Sequence, residues 1–186
     1  MPRRPSVVPL APECHFSRRP TFAECDAIRQ TLLENNGKLN RVDRVGEWRG
    51  LYQQEMMQAM CENHKAVIQA TPQTSGKTFC ASLMTCARIL NGQRGVWCYP
   101  TLRQGARVAF RRVDNWMRVL EETYSVKRIM PDAAFEKEWA NGGSIIVLSL
   151  DAAAKSGVQG YTLEFGFLDE AHEILDPEYV IGAILS

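Results

Sequence analysis

Thr71-Pro72-Gln73-Thr74-Ser75-Gly76-Lys77-Thr78 is the stretch of this chain best equipped for chemistry. An apolar run, Val67 to Ala70, precedes it and a helix-forming run follows, so it reads as strand, tight loop and helix start. That is the layout of a phosphate-binding loop. The N–H groups of such a loop, and of the helix behind it, point inward with partial positive charge and suit nucleotide phosphates. Gly76 would admit phosphates close to the backbone. Lys77 would place a point charge near the β- and γ-phosphates, and the Thr78 hydroxyl would be a Mg²⁺ ligand. Thr71 stands where the usual pattern has its first glycine, so the stretch taken alone also reads as an ordinary helix start.

A second set of residues decides between those readings. Phe165-Gly166-Phe167-Leu168 is an apolar strand that delivers Asp169 and Glu170 at its carboxyl end, the edge where open α/β sheets bind ligands. Strand alternation sends the two acids opposite ways. Asp169 can then hold the Mg²⁺ that bridges the phosphates, and Glu170 can polarise an attacking water as the catalytic base. With Gly-Lys-Thr upstream on a neighbouring strand, this pair predicts a nucleotide hydrolase. A non-hydrolysing nucleotide-binding module is the rival from another class, suggested by Thr71. Intact Lys77, Thr78, Asp169 and Glu170 argue against it.

The elements that must position these groups follow from spacing. Residues 1 to about 20, rich in Pro and Arg, read as a flexible basic arm, favoured as a solvated tail over a contact with DNA or a partner protein. Residues 21–186 read as a single P-loop nucleotide-hydrolase domain. Thr21 to Glu24 is a capping-box start, with Phe22, Cys25, Ile28 and Leu32 on one helical face and Asn35-Asn36-Gly37 at its end. A helix from about Glu47 to Cys61 carries the stripe Trp48, Leu51, Tyr52, Met56, Ala59 and Met60. Strand Ala66–Ala70 leads into the loop, and the helix after it runs from Gly76 to about Asn91. Gly95–Tyr99 is a second buried strand. A long helix from about Leu102 to Tyr124 follows, with a core face from Ala106 to Leu120 and a basic stripe of Arg103, Arg107, Arg111 and Arg118 that also reads as plain solvated surface.

Residues Val126 to Gly143 suggest a hairpin turning at Asn141-Gly142-Gly143. Ser144–Leu150 is a strong strand, Asp151–Tyr161 a loop of small residues, Glu164–Leu168 the strand that ends in the acids. Asp176-Pro177-Glu178 opens a last helix. Strands alternating with helices predict a three-layer α/β fold around a mostly parallel sheet.

At 186 residues with 45% hydrophobic and 23% charged residues, the composition is that of an ordinary globular chain. A net charge of +1 supplies no global field for nucleic acid, so any basic surface is local. No apolar run is long enough to span a bilayer, and no apolar segment backs the N-terminal arginines as in a signal peptide. The 6 cysteines (Cys14, Cys25, Cys61, Cys80, Cys86, Cys98) never form a C-x-x-C pair, which fits reduced, partly buried thiols better than disulfides or zinc.

Three further segments carry a family likeness: Leu51-Tyr52-Gln53; Tyr99-Pro100-Thr101-Leu102-Arg103-Gln104-Gly105-Ala106; and Ser149-Leu150-Asp151 with Gly157 and Gly160, running into Phe167-Leu168-Asp169-Glu170-Ala171-His172. With them, the run from Trp48 to Ile174 resembles the N-terminal ATPase domain of the large terminase subunit of tailed bacteriophages, the motor that packs DNA into proheads. The resemblance implies a P-loop NTPase fold of the RecA-like, ASCE type, truncated before the end of the motor domain. It implies ATP and Mg²⁺ as cofactors, and a nuclease activity expected only in a full-length chain. Double-stranded DNA, a portal protein and a small terminase subunit are the implied partners, in a homo-oligomeric ring in the host cytoplasm, with no membrane.

Residue roles follow from the same likeness. Gln53 would read adenine, with Gln54 as the alternative register, and His172 would relay nucleotide state or simply cap a turn. Several terminases carry an arginine where Gln73 stands. A finger supplied from a neighbouring subunit, by Arg103, Arg111 or Arg112, is therefore expected. The alternative is the first motor domain of a superfamily 2 DEAH-type helicase, since Asp169-Glu170-Ala171-His172 matches that box too. No "T-P-G-R"-like segment lies between Thr101 and Asp169, and no second motor domain follows.

Overall fold

A computed structural model describes residues 19–62, 76–105, 110–129, 135–149 and 162–169. Residues 1–18 of the arm expected over 1 to about 20, the strand at Ala66–Ala70, the loop 151–161 and the helix opening at Asp176 lie outside the described residues.

Helix α1 spans Phe22–Glu34. Its start is the expected capping box: the Glu24 backbone N–H donates to Thr21 Oγ1 at 3.3 Å and the Thr21 N–H donates to Glu24 Oε2 at 2.7 Å. Cys25, Ile28 and Leu32 are buried, as their spacing predicts, but Arg29 is buried with them. Its charge is met by Asp26 at 2.8 Å and Glu47 at 3.1 Å, and its guanidinium lies over the Trp48 ring. Two single turns, Asn36–Lys38 and Arg41–Asp43, lead on to α2.

Helix α2, Leu51–Glu62, corrects the sequence reading in two ways. It begins at Leu51 rather than near Glu47, after a turn in which Gly50 takes φ +97°. Its buried face is Gln53, Met56 and Met57, while Leu51 (74%) and Tyr52 (45%) are exposed. The phase was hidden because a glutamine occupies a core position. Burial is tolerated there because Gln53 Oε1 accepts from the Arg49 N–H at 2.8 Å. Trp48 lies before the helix and packs between Phe22 and Phe79.

Helix α3, Lys77–Leu90, is buried continuously from Cys80 to Leu90 and sits at the centre of the core. Strand β1, Arg94–Tyr99, follows. Helices α4 (Leu102–Gly105) and α5 (Arg111–Tyr124) occupy the span of the expected long helix, with 106–109 between them outside the described residues. Of that helix's core face, Phe110, Val113, Trp116, Met117 and Leu120 are buried. The remaining strands are β2 (Glu136–Glu138), β3 (Ser144–Ser149) and β4 (Phe165–Leu168).

The sheet order is β2-β3-β1-β4, with β3, β1 and β4 parallel and β2 antiparallel at one edge. The expected hairpin joins β2 to β3, with Gly142 at φ +87° in its turn. Strand alternation divides the apolar residues between the two faces. Trp97, Tyr99, Ile145 and Val147 join α1, α2, α3 and α5 in the main core, whereas Val96, Cys98 and Ile146 form a smaller cluster. Charged groups hold the hairpin to α5: Arg128 pairs with Asp114 and Glu121, and Lys137 pairs with Asp114. The described residues thus form an α/β fold with a mostly parallel mixed sheet.

Candidate active site

Two ends of the fold meet at the carboxyl edge of the sheet. Gly76 takes φ +88° and stands immediately before α3. Only a residue without Cβ adopts that conformation at little cost. It also admits a neighbour: a Cβ built on Gly76 would lie 2.1 Å from Gln53 Nε2. Helix α2 therefore closes against the start of α3 through that amide, and Cys80 Sγ donates to the Gln53 carbonyl at 3.8 Å.

The first turn of α3 contains no acid, and its first residue is Lys77. A cation at the positive end of a helix opposes the helix dipole. Placement of Lys77 there makes sense where an anion completes the site. Thr78, the next residue, donates from Oγ1 to Asp169 Oδ2 at 3.2 Å. These side chains are 91 residues apart in sequence and come from different elements.

Asp169 follows β4 directly. Register with β1 pairs Cys98 with Leu168, and the Asp169 N–H donates to the Cys98 carbonyl at 3.1 Å. Asp169 Oδ2 also accepts from the Tyr99 hydroxyl at 2.9 Å. A threonine hydroxyl and a carboxylate converging here are hard oxygen donors, the set that suits Mg²⁺ with its remaining positions left to phosphate and water. Among the described residues no group of three or more His, Cys, Asp or Glu gathers in the manner of an all-protein metal cage.

The expected site residues are thus partly assembled. Gly76, Lys77, Thr78, Gln53 and Asp169 are described, and Gln53 and Asp169 each touch the start of α3. Thr71, Pro72, Gln73, Thr74, Ser75, Glu170 and His172 lie outside the described residues. Of the three candidate arginines, Arg103 and Arg111 are exposed. Arg112 instead turns inward, 24% exposed, with Nε 3.9 Å from Asp43 and its guanidinium over the Trp116 ring. Burial lowers its pKa, and the Asp43 carboxylate opposes that shift.

Two residues that bear on the site were not assigned from sequence: Tyr99, which touches Asp169, and Asp43, which holds Arg112 away from it. Tyr99 was read as a strand residue, although a tyrosine closing an apolar strand at the ligand edge carries a polar tip that needs a partner. Asp43 gave no signal; it lies in a single turn, is buried, and accepts from Asn115 Nδ2 at 2.6 Å. A separate cleft lies at the opposite end of the strands, lined by Arg94, Glu136, Glu138, Ser144 and Leu163 among others. It faces the amino ends of β1 and β3, away from Lys77 and Asp169, and so is not where this chemistry belongs.

No described helix is long and apolar enough to cross a membrane. Searches of curated proteins and of solved structures returned no match. A family model described as terminase large subunit, T4likevirus-type, N-terminal, does match, over residues 68–180, and gives the helicase alternative no support. That span runs from the apolar run before Gly76-Lys77-Thr78 to beyond Asp169-Glu170 and covers more than half of the sequence, so the chain belongs to the T4likevirus-type large terminase subunit family, as its N-terminal region.

Proposed function

We propose that this region is a Mg²⁺-dependent ATPase whose hydrolysis drives double-stranded DNA into a prohead. The observation that carries the reading is the hydrogen bond from Thr78 to Asp169, which unites the loop end and the acid-bearing strand at one edge. Bound there, Mg²⁺ would supply positive charge that neutralises the phosphates during transfer. Thr78 and Asp169 would hold it. Lys77 and the N–H groups at the head of α3 would hold the phosphates, with Thr71 to Ser75 completing the cradle. Glu170 would accept the proton of the attacking water, and Gln53 would read the adenine by giving up the Arg49 N–H that its buried Oε1 now accepts from.

The remaining charge would come from a neighbouring subunit in a homo-oligomeric ring. Arg103 and Arg111 are the better donors, because Arg112 is held by Asp43 and Trp116 of its own chain. A portal protein and a small terminase subunit complete the proposed assembly, in the host cytoplasm. Equilibrium binding of an ATP analogue tests the core of this reading. Lys77→Ala should abolish binding with the fold intact. Glu170→Gln should bind and hardly hydrolyse, and Asp169→Asn should weaken the Mg²⁺-dependent part. Full affinity in Lys77→Ala would sink the assignment of the loop.

A further inference from the structure

We infer that Tyr99 is a positioning residue for the metal-binding carboxylate, its hydroxyl fixing Asp169 in the orientation that receives Mg²⁺. The inference rests on the reading above, in which Asp169 and Thr78 hold the metal.

One carboxylate oxygen, Asp169 Oδ2, accepts two hydrogen bonds, from Thr78 at 3.2 Å and from Tyr99 at 2.9 Å. The donors differ in kind. A threonine hydroxyl that reaches the metal does so through an oxygen lone pair while its O–H stays on the acid, so one short side chain must satisfy both partners. The Tyr99 hydroxyl is not a metal ligand in the proposed site. Its ring is 2% exposed and stacks on Trp97 at 6.2 Å and 21°, and Trp97 packs on Phe167 at 5.3 Å. Phe167 in turn lies two residues before Asp169, on the same face of β4. The phenol oxygen therefore sits at the tip of an aromatic stack built from both strands, with little freedom to swing. The acid's backbone is fixed independently, by its N–H bond to the Cys98 carbonyl. What Tyr99 adds is a second, rigidly held donor that limits the carboxylate's rotation.

A carboxylate that has lost one of its donors has more rotational freedom to give up when the metal binds, and the affinity for metal falls accordingly. Removing the hydroxyl while keeping the ring should leave nucleotide binding without metal intact and weaken its support by Mg²⁺. The test measures the affinity of a fluorescent ATP analogue for the full chain, in EDTA and across a Mg²⁺ titration. Tyr99→Phe should raise the Mg²⁺ concentration for half-maximal effect by roughly tenfold, with the EDTA affinity unchanged. The ratio of the two affinities in one preparation cancels any loss of folded protein. Trp97→Phe, which keeps both the hydroxyl and an aromatic ring for Tyr99 to pack on, should shift the titration far less.

An unchanged Mg²⁺ titration in Tyr99→Phe overturns the inference, as does an equal shift in Trp97→Phe. Outright unfolding of Tyr99→Phe overturns it too, since the hydroxyl would then serve the fold. The underlying reading fails separately: Asp169→Asn would keep the wild-type Mg²⁺ dependence. If Asp169→Asn loses that dependence while Tyr99→Phe keeps it, only the role of Tyr99 falls.

Discussion

Replacing Gly76 with alanine perturbs the join between α2 and α3 through two costs that the structure separates. The first is backbone: φ at Gly76 is +88°, and a left-handed conformation costs a residue with Cβ about 1–2 kcal/mol. The second is contact, because the new Cβ would lie 2.1 Å from Gln53 Nε2 and 3.1 Å from Gln53 Cδ. The tip of a flexible side chain gives way, so the clash itself is relieved. Turning aside, however, takes Gln53 Oε1 from the Arg49 N–H, a 2.8 Å bond made by a side chain only 3% exposed. A buried hydrogen bond left unmade costs about 1–3 kcal/mol. Gly76→Ala should therefore lower stability by roughly 2–5 kcal/mol. In a Gln53→Ala background the contact cost is already absent, and the same change should cost only about 1–2 kcal/mol. Urea unfolding of the four proteins, compared at a common m value, yields the difference as a coupling energy. Equal costs in both backgrounds would refute the contact, and a neutral Gly76→Ala would refute the strained backbone as well.

Burial pushes the Asp114 carboxyl up, but the Arg128 charge and the bonds from Lys137 and Arg128 outweigh it and leave its pKa below the ordinary 3.8. Its contribution to stability is therefore complete above that value and lost as pH falls through the depressed one, so Asp114→Asn should flatten the acid limb of a stability-versus-pH curve; a limb of unchanged steepness would argue otherwise. Among the described cysteines, the hydrogen bond between Cys25 and Cys61 raises the former and lowers the latter, while burial pushes Cys80 and Cys98 up to about 12. Brief alkylation followed by peptide mapping should find Cys61 labelled ahead of Cys25, Cys80, Cys86 and Cys98, and earlier labelling of Cys80 or Cys98 would contradict the assignment. For the proposed finger, an isolated subunit should hydrolyse ATP slowly, since an inserted arginine accelerates the reaction by roughly 10³–10⁵. Mixing Glu170→Gln subunits with an Arg103→Ala, Arg111→Ala form should recover hydrolysis, and a mixture as inactive as its parts counts against donation between subunits.

Much of the fold was legible because its signals are local. The Thr21 capping box, the apolar face of α1 and the runs that became β1, β3 and β4 each depend on residues within one element. The order of strands was not legible, because pairing of β1 with both β3 and β4 is decided by packing between distant segments. Helix α2 misled for a definite reason: the sequence places an amide at a buried position and two large apolar side chains on the exposed side. Arg29 is a similar case, a buried cation whose partners Asp26 and Glu47 lie on two different segments. At the site, Thr78 and Asp169 could be paired from motif spacing, whereas Tyr99 could not. Its role depends on the register of β1 with β4, which no local pattern specifies.

That register shows how a residue remote from the chemistry governs it. Gly95 pairs with Phe165, and a Cβ at Gly95 would lie 2.1 Å from the Phe165 ring, so the glycine makes room for that aromatic side chain. From this pair the alternation is fixed: Trp97 lies beside Phe167, and one more step brings Tyr99 to Asp169. A slip of one residue would turn every β4 side chain to the other face, sending Asp169 away from Thr78 and α3. Strand direction matters as much. Because β1, β3 and β4 are parallel, Tyr99, Ser149 and Asp169 all arrive at one edge, where Ser149 Oγ donates to the Pro100 carbonyl at 3.2 Å. Strand β2 runs the other way, and Glu138 pairs with Ser144 at the opposite end. Its two glutamates are thereby kept from the edge that Lys77 faces. The acid that reaches Thr78 is selected by the sheet's direction and by the place the Gly95 backbone makes for Phe165.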